Sequence, residues 1–155
     1  MDPFSITVGA LGITEFALSS ISELRNVING LAEAKEALQD IASNLDAVQR
    51  PLDALGELKI SDSAIYATAK RDLEKTGVAE AVNNCGQACA DFTKKLKQLT
   101  KHSSSSKVSF RDRLSVGVWH KEKIRTLRTH VQTCQSIVQF AVESAQLWVI
   151  SLVSR

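Results

Sequence analysis

Apolar residues recur every three or four positions along most of the chain, which is the spacing of one face of an α-helix. Asp2 suits an N-cap and Pro3 suits the first helical position, so we expect a helix to begin at Pro3. Apolar residues lie on both sides of its first turns, with Phe4, Val8, Leu11 and Leu18 opposite the main stripe of Ile6, Ala10, Ile13, Ala17, Ile21, Leu24, Ile28 and Leu31. This pattern is typical of a helix that is sunk in a core or that meets another apolar environment.

A second helix is predicted after Asn29-Gly30 by a heptad pattern. Its two apolar positions are occupied by Leu31, Leu38, Leu45 and Leu52, and by Ala34, Ile41, Val48 and Leu55. The heptad phase passes through Asn29-Gly30 without a slip, so one continuous helix is an alternative to a hairpin. We favour the hairpin, because a helix over residues 3–55 would be about 80 Å long, several times the size of such a domain. Pro51 should kink or end the second helix.

Three further helical patterns follow. Ser61 can cap a short helix that Gly77 closes, with Ile65, Ala69 and Leu73 facing inward. The later stripes are Val78, Val82, Cys85, Cys89, Phe92, Leu96 and Leu99, and then Ile124, Leu127, Val131, Cys134, Val138, Ala141, Ala145, Trp148 and Leu152. A serine run predicts a flexible loop over residues 103–107. No segment shows sustained period-two alternation, so the prediction is an all-α bundle of five or six helices over residues 1–155, with long N-terminal and C-terminal helices.

Size and composition fit one globular domain. The chain has 155 residues, enough for a sizeable core without disulfides or metals. Its three cysteines have no framework spacing, and Met1-Asp2-Pro3 lacks the basic start of a secretory signal, so we expect a cytoplasmic protein. The longest strongly apolar stretch without charge, Pro3 to Thr14, is twelve residues, against about 20 for a membrane-spanning helix.

Charge divides the chain into an acidic and a basic part. Residues 1–62 hold ten acidic and four basic residues, whereas residues 94–128 hold eleven basic residues against Asp112 and Glu122. The basic segment is a candidate surface for an anionic partner. Alternatively, it is a solvated face that neutralises the acidic half of the same domain. Nucleic acid is a weaker alternative, because Phe110 and Trp119 are the only stacking aromatics in the segment.

Catalytic and metal-binding signatures are absent from the sequence. There is no dinucleotide-binding glycine pattern, Walker A loop or His-Glu-x-x-His pair. Ser104 and Lys107 match a Ser-x-x-Lys pair only through the serine run. Cys85 and Cys89 lie one helical turn apart on an apolar stripe, which favours core packing over metal binding, and His102, His120 and His130 favour surface positions. We therefore expect no enzyme activity, no cofactor and no metal.

Several segments together resemble a known family. These segments are Asp2-Pro3-Phe4-Ser5-Ile6 with Ala10-Leu11-Gly12, Leu31-Ala32-Glu33-Ala34, Pro51-Leu52, and Val118-Trp119-His120-Lys121-Glu122-Lys123-Ile124. They are similar to segments of the HeLo-like N-terminal domains of fungal STAND receptors, which are NLR-type proteins. The resemblance implies an effector of programmed cell death or heterokaryon incompatibility. It implies a bundle that is inactive in the cytosol, oligomerises on a signal, releases its apolar N-terminal helix and permeabilises the plasma membrane. It also implies a downstream nucleotide-binding module in a longer protein.

Two sets of site residues follow from the pattern and the resemblance. The membrane-inserting candidates are Phe4, Ile6, Val8, Leu11, Ile13, Phe16 and Leu18. The candidates for binding anionic phospholipid are Lys94, Lys95, Lys97, Lys101, Arg111, Arg113, Lys121, Lys123, Arg125 and Arg128. Self-association is expected from the heptad seam between Leu31 and Leu55 and the stripe between Ile124 and Leu152. The alternative function is a protein-binding signalling bundle whose N-terminal helix stays in the core.

Overall fold

The part of the chain that the structure describes folds as a bundle of five α-helices with one very short sheet. The computed structural model describes residues 4–5, 11–31, 36–56, 59–60, 63–103 and 121–153. The helices there are α1 (Glu15–Asn29), α2 (Glu36–Gly56), α3 (Ser63–Lys75), α4 (Val78–Ser103) and α5 (Lys121–Val153). Two-residue strands, β1 (Phe4–Ser5) and β2 (Lys59–Ile60), pair antiparallel, with Phe4 opposite Ile60. The predicted all-α bundle is confirmed.

Four helices close a ring around the core. Helix α1 packs against α2 and α4, and α5 closes the ring by packing against the same two helices, while α3 contacts α4 and α5. The core is built from the predicted stripes: the buried side chains include Ile21, Leu24 and Ile28 from α1, Leu38, Ile41, Leu45, Val48 and Leu52 from α2, Leu73 from α3, Val82 and Leu96 from α4, and Val131 and Val138 from α5. The helical spacing of apolar residues therefore identified the inward face of each helix that the structure describes.

The break at Asn29-Gly30 separates α1 from α2, so the hairpin is confirmed and the single long helix is wrong. Gly30 caps α1, and its backbone N–H donates to the Asn26 carbonyl at 2.9 Å. Pro51 does not end α2, which continues to Gly56. Proline removes one backbone donor from a helix, but Leu52, which is 2% exposed, anchors the last turns in the core.

The first helix begins later than predicted. Phe4 and Ser5 form β1, and α1 starts at Glu15, so a helix from Pro3 is wrong for the described residues before Glu15. Thr14 is the N-cap: its hydroxyl accepts a hydrogen bond from the Ala17 N–H at 3.1 Å. Gly12 precedes it with a φ of +94°, a conformation that a helix does not contain and that glycine adopts without strain. The chain therefore turns at Gly12 before entering α1.

Helices α1 and α4 approach closely through two small residues. A Cβ atom added to Gly86 would lie 2.4 Å from the Cα of Ala17. The Asn83 side chain accepts a hydrogen bond from the Thr14 N–H near the start of both helices, and Lys97 of α4 pairs with Glu23 of α1 further along. Helices α1 and α4 therefore run parallel. The absence of a side chain at Gly86 lets the two backbones touch at this crossing.

Candidate membrane-docking surface

Two lysines of the predicted lipid-binding set meet across the α4–α5 interface. Lys95 of α4 and Lys123 of α5 line the same cavity of about 350 Å³. Hydrogen bonding to Lys95 and the positive charge of that ammonium lower the pKa of Lys123. Lys94 is exposed beside Lys95 in the sequence. We call Lys94, Lys95 and Lys123 the basic surface. A phosphate between the two ammonium groups would relieve their mutual repulsion.

Acidic groups also face this cavity. Asp91 and Glu122 line it together with the two lysines. The Asp91 carboxylate accepts a hydrogen bond from the side-chain amide of Gln87 at 3.1 Å. These carboxylates reduce the local positive potential, so tight anion binding here requires more than one lysine at once.

Two other predicted lipid ligands form ion pairs with neighbouring helices at the surface of the bundle. Lys97 pairs with Glu23 of α1. Arg128 lies 3.9 Å from the Asp40 carboxylate of α2. In both pairs a cation from the basic segment meets an acid from the acidic half of the chain. Lys97 and Arg128 therefore neutralise acidic residues of the same domain, as the alternative interpretation expects. The lysines of the basic surface form no ion pair within the described part of the chain.

The remaining lipid-binding candidates are distributed as follows. Arg125 is exposed and lines a different cavity on the side of α5 that faces the start of α4. Lys101 and Lys121 lie in the last turn of α4 and at the first position of α5. Arg111 and Arg113 lie outside the described residues, as does the predicted serine loop beyond Ser103, which is itself the last residue of α4.

The membrane-inserting candidates whose side chains the structure describes do not form one surface. Leu11 and Ile13 are 5% and 4% exposed and belong to the core, Leu18 packs partly buried against it, and Phe16 is 55% exposed. Phe4 lies in β1, whereas Ile6 and Val8 are outside the described residues. In the folded bundle Leu11 therefore belongs to the core and does not lie on an exposed second apolar face. Insertion of these residues into a membrane stays a prediction.

A side-chain clamp, which the sequence pattern did not predict, holds the start of α1. The Asn83 amide nitrogen donates to the Gly12 carbonyl at 3.0 Å, and the Asn83 amide oxygen accepts from the Thr14 N–H at 3.0 Å. The Thr14 hydroxyl lies 3.3 Å from the same oxygen. Thr14 followed by Glu15 was a recognisable N-cap signal. Asn83 gave no signal, because its partners are about 70 residues away in the sequence.

The seam expected to drive self-association is filled within the chain. The α2 side chains Leu38, Ile41, Leu45 and Val48 are fully buried between the helices of one molecule. Different apolar groups remain exposed on α5, namely Phe140 at 59% and Leu147 at 67%. They lie seven residues apart and hence on one helical face.

Metal and membrane-spanning features are not found where the structure is described. Over the described ranges no group of three or more His, Cys, Asp or Glu side chains could hold a metal ion. The helices described here include none that is long and apolar enough to cross a bilayer. Cys85 and Cys89 are buried and His130 is exposed, as predicted, whereas His102 and His120 have no described side chain.

Comparison with known proteins identifies the family. The model of the family described as the N-terminal domain of the pigment biosynthesis cluster protein PigL matches residues 1–153. The chain belongs to this family. The family is one of the fungal HeLo-like domains, which confirms the coarser part of the resemblance. No curated protein and no solved structure matches the chain.

Proposed function

We propose that this domain is a non-enzymatic, membrane-targeting effector of fungal programmed cell death or heterokaryon incompatibility. It docks on anionic phospholipid through the basic surface and permeabilises the membrane after its N-terminal segment leaves the bundle. The observation that carries the proposal is that Lys95 and Lys123, two cations from different helices, line the same cavity. Membership of a HeLo-like family supports the cell-death setting. The protein is expected to move from the cytoplasm to the plasma membrane.

The strength of docking follows from the number of cations. Each basic side chain near an anionic surface contributes about 1 kcal/mol, and the effect decays within about 8 Å at physiological salt. A surface with so few cations favours weak, reversible binding. Such binding suits a surface that engages only when several copies assemble. The exposed Phe140 and Leu147 are a candidate face for that self-association.

Release of the N-terminal segment requires the clamp to open. Asn83 lies twelve residues before Lys95 on α4, about 18 Å along the helix axis. The clamped turn at Gly12 is therefore at a different level of the bundle from the basic surface. In this proposal the bundle first docks through its lysines, and the segment before α1 then separates from Asn83. A nucleotide-binding module in the full-length protein would supply the trigger.

The test compares vesicles of phosphatidylcholine with vesicles that also contain phosphatidylserine. Lys123→Glu should weaken co-sedimentation with the anionic vesicles about thirtyfold, because reversing the charge removes one attraction and adds one repulsion. The same change replaces a repulsive lysine pair with an attractive one, so thermal stability should stay equal or rise. Arg71→Glu is the matched control, since Arg71 is exposed on α3 and the charge change is identical.

The outcomes separate the steps of the proposal. Binding that is equal for both vesicle types, or that is insensitive to NaCl, would refute electrostatic docking. Dye release from the bound vesicles measures permeabilisation, and light scattering with and without lipid measures self-association. Docking without dye release would refute the release step only.

A protein-interaction bundle without membrane activity is the second candidate. The burial of Leu11 and Ile13 in the core favours it, because those residues stabilise the folded bundle directly. This function predicts neither vesicle binding nor dye release, even after the domain has assembled with a signalling partner.

A further inference from the structure

The three cysteines of the chain meet at the interface between α4 and α5. Cys85 and Cys89 lie one turn apart on α4, Cys134 lies on α5, and all three are free thiols with no more than 1% exposure. Cys85 and Cys134 line the same cavity, and Cys85 is close enough to Cys134 and Cys89 for their ionisation to be linked. Apolar stripes explain why each position is buried, but they do not explain why three sulfur atoms converge.

The cluster lies at the edge of a cavity. Cys85 and Cys134 line a surface cavity of about 650 Å³, with Glu80, Arg125 and His130 among its other lining residues. Glu80, Arg125 and His130 are exposed, so the cavity opens to solvent. Cys89 is not among its lining residues. A small solute such as a peroxide can therefore approach Cys85 and Cys134 from the same side.

Electrostatics make the three thiols unequal. Hydrogen bonds to Cys134 and Cys89, together with the charge of His130, lower the pKa of Cys85 although burial opposes them. The hydrogen bond to Cys85 and burial raise the pKa of Cys134, and the same two causes raise that of Cys89. The cluster thus favours one thiolate beside two protonated thiols, and the thiolate is the reactive form of cysteine.

We propose that Cys85 is a redox modification site that reacts with hydrogen peroxide and is then joined to Cys134 by a disulfide bond. The Cys85 sulfur attacks one peroxide oxygen, the O–O bond breaks, and the leaving hydroxide takes a proton to form water. The resulting sulfenic acid is attacked by the Cys134 sulfur, which forms the S–S bond and releases a second water. Two thiols lose two electrons in total, and one peroxide becomes two waters. A dithiol reductant reverses the step.

Geometry selects Cys134 rather than Cys89 as the second thiol. Side chains one turn apart on a helix have Cβ atoms about 5–6 Å apart. A disulfide requires about 3.5–4.5 Å between its Cβ atoms, so a bond between Cys85 and Cys89 would distort α4. Cys134 lies on a different helix and lines the same cavity as Cys85, so its separation from Cys85 is not fixed by the geometry of one helix. A bond between Cys85 and Cys134 would tie α5 to α4, the two helices that carry the basic surface.

The experiment treats the folded, reduced protein with hydrogen peroxide, alkylates it under denaturing conditions and maps its tryptic peptides. The expected product links residues 76–94 to residues 129–155, and fragmentation assigns the first sulfur to Cys85. Cys89→Ala should keep the link and is the matched control, whereas Cys85→Ala and Cys134→Ala should abolish it. In Cys134→Ala, dimedone should trap a sulfenic acid on Cys85. The oxidised wild type should melt at a higher temperature than the reduced protein.

Three results would overturn the proposal. They are alkylation of all three thiols after peroxide treatment of the folded protein, a link from Cys85 to Cys89, and loss of the link in a folded Cys89→Ala variant. If an alanine variant does not fold, the peptide map of the wild type still decides between the first two results and the proposed link. The proposal does not depend on membrane binding.

Discussion

Gly86→Ala tests whether direct backbone packing between α1 and α4 stabilises the bundle. The added methyl group would lie 2.4 Å from the Ala17 Cα, 2.6 Å from its Cβ and 3.0 Å from its carbonyl oxygen. Two of these three atoms belong to the backbone, so a rotamer change cannot relieve the clash. Helix α1 must move away from α4, and the core packing between them must loosen.

Two opposing free energies set the size of the effect. Alanine is favoured over glycine inside a helix by about 1 kcal/mol. Overpacking of a tight interface costs about 1–3 kcal/mol, and a clash with backbone lies at the upper end of that range. The free energy of unfolding should therefore fall by about 1–2 kcal/mol, which lowers the melting temperature by about 2–8 °C in a domain of this size.

Urea unfolding followed by circular dichroism measures this change, and two further variants interpret it. Asn84→Ala alters an exposed neighbour on α4 and should leave stability equal or slightly raised, since alanine is the better helix former. Ala17→Gly combined with Gly86→Ala should restore only part of the loss, because the backbone at position 17 still lies against the added methyl group. A Gly86→Ala variant as stable as the wild type would show that the close crossing is not a packing constraint.

Three other substitutions, one of them a control, test the N-terminal turn. Leu11→Glu should destabilise the fold by about 3 kcal/mol or more, because it places a charge at a position that is 5% exposed. Phe16→Glu, at a position that is 55% exposed, is the control and should change the melting temperature little. Equal effects of the two substitutions on stability would contradict the burial of Leu11. Asn83→Ala removes the clamp and should lower the free energy of unfolding by about 1–2 kcal/mol and speed hydrogen exchange of the Thr14 amide. Under the proposed function, it should also increase dye release. A Thr14 amide that stays protected in this variant would show that Asn83 does not hold the turn.

Apolar periodicity alone determined most of the fold. The spacing of Ile21, Leu24 and Ile28, or of Cys85, Cys89 and Phe92, defines a helix and its buried face without knowledge of any partner, because a helix must bury its apolar stripe. The break at Asn29-Gly30 and the turn at Gly77 were likewise visible, since both rest on local backbone preferences.

The misplaced start of α1 shows where local signals compete. Asp2 and Pro3 form a good helix start. Phe4, Ile6 and Val8 also alternate with Ser5 and Thr7, but this strand-like pattern lasts only five residues and is not sustained. The structure has β1 at Phe4–Ser5, paired with Lys59–Ile60 more than fifty residues away. Strand pairing is a long-range interaction, so the first residues alone did not decide between helix and strand.

The candidate site depended almost wholly on tertiary structure. Composition identified a basic segment, but only helix packing decided that Lys97 and Arg128 neutralise Glu23 and Asp40 while Lys95 faces Lys123. Helix packing likewise brings the Asn83 side chain to the Gly12 carbonyl and places Cys134 near Cys85. Periodicity assigns a residue to the inside or the outside of its own helix, whereas the identity of its partner depends on how two helices are aligned, and that alignment is settled by packing of the whole core.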